Sequence, residues 1–296
     1  MKKSIIALAV AGALVAPLAQ ADATLYGSLR LKVQSLDGAN ELNVTDNSSR
    51  IGIKGSTELF SGAKGIFQFE QAVSTVDGAF SSGRLASAGI TGDFGTVNAG
   101  RQWSPFATWT LFPTDIVDNR TSGASGYQPG LHRLANTVAY VSPNMSGFQA
   151  AAVIIAANNA DGEDLDAYNL AAKYAMGGLT VAASTVGLEA ANQDVNSLAV
   201  SYEADALYVA ARYQDDETAG AGQEDSYEVA GSYTMGNTKV LANFVDSDDD
   251  AVGEQWSLEV QQKLGKKARM FAAYTSSDSV DDGDVDGVEV GYRVDF

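Results

Sequence analysis

The stretch GVEVGYRVDF, residues 287–296, decides the fold. Val288, Val290, Tyr292, Val294 and Phe296 fall on one face of an extended chain; Glu289, Gly291, Arg293 and Asp295 fall on the other. Such period-two alternation marks a strand with one apolar and one polar side. The signature recurs backward along the chain, in EQWSLEVQQKL (254–264), SYEVAGSYTM (226–235), ALYVAARYQ (206–214), NSLAVSYE (196–203) and DAYNLAAKYAM (166–176). It recurs again in KGIFQFEQAV (64–73), SRIGIKGSTE (49–58) and TLYGSLRLKVQ (24–34). Weaker versions at 82–92, 94–101, 133–142, 146–156, 178–187, 237–246 and 267–276 bring the expected strands to sixteen.

The connections alternate too. Seven are short, at 59–64, 91–95, 142–147, 176–178, 203–205, 235–237 and 264–267, and Gly or Asn in most of them supplies the positive φ of tight hairpins. Eight are longer, starting with 35–47, and the longest runs over about 102–132. This alternation puts all tight turns at one end of an antiparallel sheet and all long loops at the other, the layout of an outer-membrane barrel with periplasmic turns and external loops.

The polar face carries Arg50, Lys54, Gln68, Glu70, Lys173, Arg212, Glu228, Glu259 and Lys263. A soluble two-sheet sandwich would need large apolar residues there. A barrel in lipid needs the apolar residues outside, and it must close, because lipid offers no partner to an unpaired N–H or C=O. Sixteen strands leave an aqueous lumen, whereas about eight are filled by their own side chains. Composition agrees. The 296 residues include 30 Gly, no Cys and only 19% charged residues, with a formal charge of −18. Absent Cys excludes a disulfide scaffold, and the negative charge excludes a nucleic-acid partner. Mean hydropathy near zero excludes a helical membrane bundle but not half-apolar strands.

The N-terminus, MKKSIIALAVAGALVAPLAQA, reads as a secretory signal peptide over 1–21. Lys2 and Lys3 precede an apolar run, and Ala19 and Ala21 set a cleavage site. Cleavage removes both lysines, takes the charge to −20 and leaves one barrel domain over 22–296.

With these residues in view, the chain resembles the trimeric general-diffusion porins of Gram-negative outer membranes. The resemblance is carried by SRIGIKGSTELFSGAKGIFQFEQ (49–71), GRLASAGITGDFGTVNAGRQ (83–102), RLANTVAYVSPNMSGF (133–148) and the terminal Phe296. It implies an all-β, 16-stranded antiparallel transmembrane barrel with an inward-folded third loop. It further implies passive diffusion of small hydrophilic solutes and ions, assembly as a homotrimer, contact with membrane lipid and lipopolysaccharide, and no cofactor. Tyr292, Val294 and Phe296 resemble the signal read by the barrel-assembly machinery. A solute-selective porin and a barrel serving as adhesin or anchor are the alternatives.

In that family the third loop narrows the pore against a basic wall. A connection as long as 102–132 is expected to be functional. Trp103, Phe106, Trp109, Leu111 and Phe112 are expected to pack it on the inner wall, with Asp115 and Asp118 facing the pore. The sequence lacks the Pro-Glu-Phe-Gly-Gly stretch of the enterobacterial loop. Strand parity puts Arg30 and Lys32 inside, opposite Leu29 and Leu31, and Arg50 and Lys54 inside, opposite Ile51 and Ile53. Arg84 and Arg133 match family positions. The basic constriction set is therefore Arg30, Arg50, Lys54, Arg84 and Arg133, and the acidic set Asp115, Asp118 and Glu70. Arg120 is a further candidate. Such charge rings tune ion selectivity, whose sign the sequence leaves open.

Four long-loop stretches, 157–164, 215–224, 246–254 and 277–286, hold 17 of the 37 acids and no Lys or Arg. They read as a solvated surface, with cation attraction or divalent bridging to lipopolysaccharide as the functional alternatives. Asp282, Asp284, Asp286 and Gly287 mimic a calcium loop, but its twelfth position is Arg293 rather than Glu, so no metal is expected. An enzyme would have to use the lone His132, which reads as a surface residue, and no hydrolase, metalloprotease or nucleotide motif is present.

Overall fold

The computed structural model describes residues 22–37, 42–60, 62–119, 131–156, 165–188, 193–216, 225–248, 253–278 and 286–296. The signal-peptide segment, Arg120, Asp282, Asp284 and most of the four acidic stretches lie outside the described residues. The first strands are β1 (Asp22–Leu36), β2 (Asn43–Asp46), β3 (Arg50–Glu58), β4 (Lys64–Val73), β5 (Phe80–Gly92) and β6 (Gly95–Trp103). After the third loop come β7 (Arg133–Val141), β8 (Phe148–Ala156), β9 (Leu165–Met176), β10 (Leu179–Leu188), β11 (Gln193–Ala204) and β12 (Leu207–Asp216). The last are β13 (Ser226–Met235), β14 (Thr238–Ser247), β15 (Gln255–Lys263), β16 (Ala268–Ser277) and β17 (Gly287–Asp295).

All pairings are antiparallel within one sheet. β1 pairs with β17 from Ser28↔Asp295 to Leu36↔Gly287 and with β3 from Asp22↔Ser56 to Ser28↔Arg50. β2 continues along the same side of β1, from Leu31↔Asp46 to Gln34↔Asn43. β2 and β3 therefore form one barrel strand broken at Asn47–Ser49, and the seventeen segments make a closed sixteen-stranded barrel. The break is repaired by a side chain. The Arg30 amide donates to Ser49 Oγ at 2.7 Å, and that hydroxyl donates to the Arg30 carbonyl at 3.0 Å. The 35–47 connection thus contains a strand piece that its composition does not announce.

Each of the sixteen expected segments overlies one barrel strand, and several strands run further toward the long loops than alternation suggested. Two-residue turns join β9 to β10 and β13 to β14, where Gly177 (φ 60°) and Gly236 (φ 61°) adopt the left-handed conformation these turns require.

Burial runs opposite to that of a soluble sheet. On β13, Tyr227 and Val229 are each 54% exposed while Glu228 between them is 1% exposed. Apolar residues therefore face outward and polar ones inward. One inner stretch is apolar, on the inner wall where the third loop is expected to pack. Val153, Val186 and Val195 on β8, β10 and β11 point inward and cluster with Phe106 of the third loop. The loop brings its own core into the lumen.

Closure ends on Phe296. Its amide donates to the Gly27 carbonyl at 3.1 Å, and its carbonyl accepts from the Gly27 amide at 3.3 Å. The Phe296 ring covers Gly27 so closely that a Cβ there would lie 2.2 Å from it. Gly27→Val is expected to displace this ring and cost about 1–3 kcal/mol, the usual cost of overpacking. Refolding yield, read from the heat-modifiable gel mobility of the barrel, checks this; a wild-type yield would remove the Gly27–Phe296 seam from the closure.

Candidate pore constriction

The third loop leaves β6 and turns into the lumen at once. The Ser104 amide donates to the His132 carbonyl at 3.0 Å and Ser104 Oγ to the Leu131 carbonyl at 2.6 Å, which ties the loop's two ends together. Pro105 then opens a wide helical turn over Phe106–Leu111, in which the Phe112 amide reaches the Ala107 carbonyl at 2.9 Å.

Each step of the loop meets a different part of the wall. The Phe106 amide donates to Asn169 Oδ1 on β9 at 3.0 Å, and the Phe106 ring is fully buried. Beside that ring lies the Arg212 guanidinium (5.5 Å to the centroid), itself paired with Glu228 at 3.5 Å. Leu111 is buried, and Trp109 carries the Lys173 ammonium 4.7 Å from its ring centre. Tyr208 donates to the Pro113 carbonyl at 2.7 Å, and Thr114 hydrogen-bonds to Glu228. On the far wall the Asp118 amide donates to Glu259 on β15 at 2.9 Å. The Asp118 carboxylate pairs with Arg269 on β16, whose Nε lies at 2.7 Å, and with Arg293 on β17 at 3.8 Å. Asn47 donates to the Asp118 carbonyl at 2.7 Å. The described part of the loop crosses the lumen and is fastened on both sides.

Between the loop and the remaining wall lies a cavity of about 690 Å³. It is lined by Arg30, Arg50, Arg84 and Arg133 from the wall and by Asp115 and Asp118 from the loop. Arg269, Arg293, Trp103 and His132 complete much of the remaining lining. Six of the expected charges therefore meet here. Two do not join them in the expected way. Lys54 is exposed and absent from the lining, with its ammonium 5.3 Å from the Tyr26 ring centre. Glu70 is buried on the basic wall, where it accepts from Arg84 Nε at 2.6 Å and from the Tyr26 hydroxyl at 3.0 Å. Tyr292 and Phe296 face outward, 40% and 42% exposed, and Val294 pairs with Leu29 in the closing ladder.

Arg84 reaches the lumen through an irregularity. Ala86, Ala88 and Ile90 face outward, so strict alternation assigns Arg84 to the lipid side. The register passes from Glu70↔Leu85 to Gln71↔Gly83 and skips Arg84. This bulge turns its side chain inward onto Glu70. Arg269 and Arg293 escaped the sequence reading of the constriction. Parity already placed Arg293 on the polar face of the last strand, and Arg269 lies two residues before the inward Phe271. His132 lines the cavity rather than the outer surface, because it ends the inward loop.

Comparison with known proteins fits this architecture. Residues 7–282 match the family model described as Gram-negative porin. The chain is 32% identical over 275 residues to the major outer membrane protein P.IB of Neisseria lactamica, covering 80% of this chain and 79% of that one. Salmonella typhi OmpF, solved in complex with daunomycin, shares the fold at a TM-score of 0.77 and 17% identity, covering 93% of this chain and 97% of that one. Vibrio cholerae OmpT, solved in a trimer form, does so at 0.71 and 17%, covering 94% and 100%. A closed barrel with an apolar outside, a charged lumen and a loop crossing it accounts for the match along nearly the whole chain: the protein belongs to the Gram-negative porin family and forms a water-filled outer-membrane channel for passive diffusion of small hydrophilic solutes and ions.

Proposed function

We propose that the passage between the third loop and the arginine wall is the constriction and that it favours small hydrophilic anions. The observation that carries this reading is the charge of the lining, where, among the described residues, six arginines stand with two aspartates. Glu70, behind the lining, balances Arg84, Asp118 balances Arg269, and Asp295 balances Arg293 at 2.9 Å, which leaves Arg30, Arg50 and Arg133, faced by Asp115, as the positive surplus. A guanidinium about 7 Å from a passing anion contributes roughly 0.6–2.4 kcal/mol, for effective dielectric constants of about 80 down to 20. The acidic stretches lie at the long-loop ends of the strands, one following Ala156 and the others beginning within the last two residues of β12, β14 and β16. Charges more than about 10 Å away are largely screened at 0.1 M salt. The arginines that line the passage act on a passing anion at close range.

The rest of the reading follows from family and topology. Residues 1–21 act as a cleaved secretory leader, supported by Lys2 and Lys3, the apolar run after them and the small residues Ala19 and Ala21. Tyr292, Val294 and Phe296 serve as the assembly signal. The barrel contacts lipid and lipopolysaccharide and assembles as a homotrimer, as the trimer form of the similarly folded Vibrio cholerae protein supports. Transport is diffusive, with no catalytic step and no cofactor.

Three measurements in planar bilayers test this reading. Reversal potentials in a KCl gradient are expected to show anion preference, stronger at 0.1 M than at 1 M salt. Arg30→Ala with Arg50→Ala is expected to shift the pore toward cations; an unmoved reversal potential removes both residues from the constriction. Asp118→Asn leaves Arg269 without its carboxylate, while Arg293 keeps Asp295 at 2.9 Å, and is expected to cost about 3–5 kcal/mol of local anchoring. Larger, noisier single-channel currents report the loosened loop, and wild-type traces would show that Asp118 does not fasten it. Insertion events are expected to appear as triplets of equal steps, and single steps throughout would overturn the trimer.

A further inference from the structure

We propose that Trp103 is a positioning residue for the channel's charge selectivity: its indole seats the Arg84 and Arg133 guanidiniums and keeps both aimed into the passage. The proposal rests on the reading of the constriction given above.

Trp103 is the last residue of β6 and pairs in register with Arg133, the first residue of β7. Loop and wall separate at this point, so a side chain here touches both. The Arg133 guanidinium carbon lies 4.8 Å from the centre of the indole and that of Arg84 lies 5.9 Å from it. Both are within the range at which a ring's negative face attracts a cation. From the loop side Phe112 meets the indole edge to face, with centroids 4.9 Å apart and planes at 81°, and this contact fixes the plane of the ring.

The two arginines depend on this ring unequally. Arg84 is also held by Glu70, through Nε at 2.6 Å. Arg133 forms no ion pair among the described residues, and its buried Nε has no hydrogen-bond partner. A buried cationic donor without an acceptor needs another compensating group, and the nearest shown is the face of Trp103. Two guanidiniums gathered at one site repel each other, and the electron-rich ring offsets that repulsion without neutralising either charge. A carboxylate in the same position would hold the arginines but cancel the charge a passing anion meets. Trp103 adds no negative charge, so Arg133 keeps its charge in full, while Glu70 balances that of Arg84.

A substitution that removes no formal charge is therefore expected to alter ion selectivity. Trp103→Leu and Trp103→Met remove the ring face, and Trp103→Phe keeps one. The readout is the chloride-to-potassium permeability ratio from reversal potentials, on protein whose heat-modifiable mobility shows a folded barrel. The Leu and Met variants are expected to lose half or more of the anion preference, and the Phe variant to retain most of it. Arg133→Ala is expected to cause a similar loss, and adding Trp103→Met to it to change little further, because the two act as one unit. A wild-type ratio in both the Leu and the Met variant overturns the proposal, as does a Phe variant as impaired as Leu, or a double variant whose losses add. If Trp103→Leu does not refold, the Met variant and the double variant decide alone. Failure of the two readings is distinguishable. An absent anion preference in the wild-type channel sinks the constriction reading. A shift with Arg30→Ala and Arg50→Ala but none with Trp103→Leu or Trp103→Met sinks only the role of Trp103.

Discussion

The structure depends on satisfying every backbone hydrogen bond without help from the solvent outside. Hydrocarbon offers no donor or acceptor, so the ladder must return to its own beginning. It does so where β17 pairs with β1, ending at the reciprocal hydrogen bonds between Phe296 and Gly27. Closure by antiparallel pairing requires an even number of strands and brings the two chain ends together. It also decides which side chains face where, because one face of every strand now meets lipid. The strand break at Asn47–Ser49 is tolerated because the Ser49 hydroxyl takes up the Arg30 amide while the Asn47 amide still donates to the Arg30 carbonyl at 3.1 Å.

Closure creates a second requirement. Sixteen strands enclose more space than their own side chains fill, and a loop folded inside must be held there. Two kinds of contact hold it. Near its root, Phe106 buries itself among inward valines and supplies a small apolar core. Toward the far wall the contacts become polar: Thr114 to Glu228, the Asp118 amide to Glu259, and the Asp118 carboxylate to Arg269 and Arg293. Buried carboxylates such as Glu228 and Glu259 would destabilise a soluble core. Here they accept the hydrogen bonds that a loop crossing a lumen has to offer.

Overall charge and local charge point in opposite directions. The chain is strongly acidic, at −18, yet the lining of its narrow part is rich in arginine. Screening favours the nearer charges, since fields in salt fall off over about one Debye length and the arginines line the passage itself. Conformation matters as much as the count. Asp118 is engaged by two arginines and Glu70 by one, so the aspartates and the wall do not form two opposed rows of independent charges.

The amino-acid sequence by itself determined the strand number, the direction of each face, the short and long connections and the inward side of Arg30 and Arg50. Those features follow from period-two alternation and turn chemistry, which are local. Tertiary structure alone decided the rest. Alternation would send Arg84 into lipid, and the register skip opposite Glu70 brings it into the lumen. Composition shows that Asp118 is acidic, but only the crossing of the loop makes Arg269 and Arg293 its partners. Trp103 reads as a packing residue until β6, β7 and Phe112 bring two guanidiniums to its ring. A bulge, a loop trajectory and a shared ring each depend on residues far apart in the chain, and local periodicity carries no record of them.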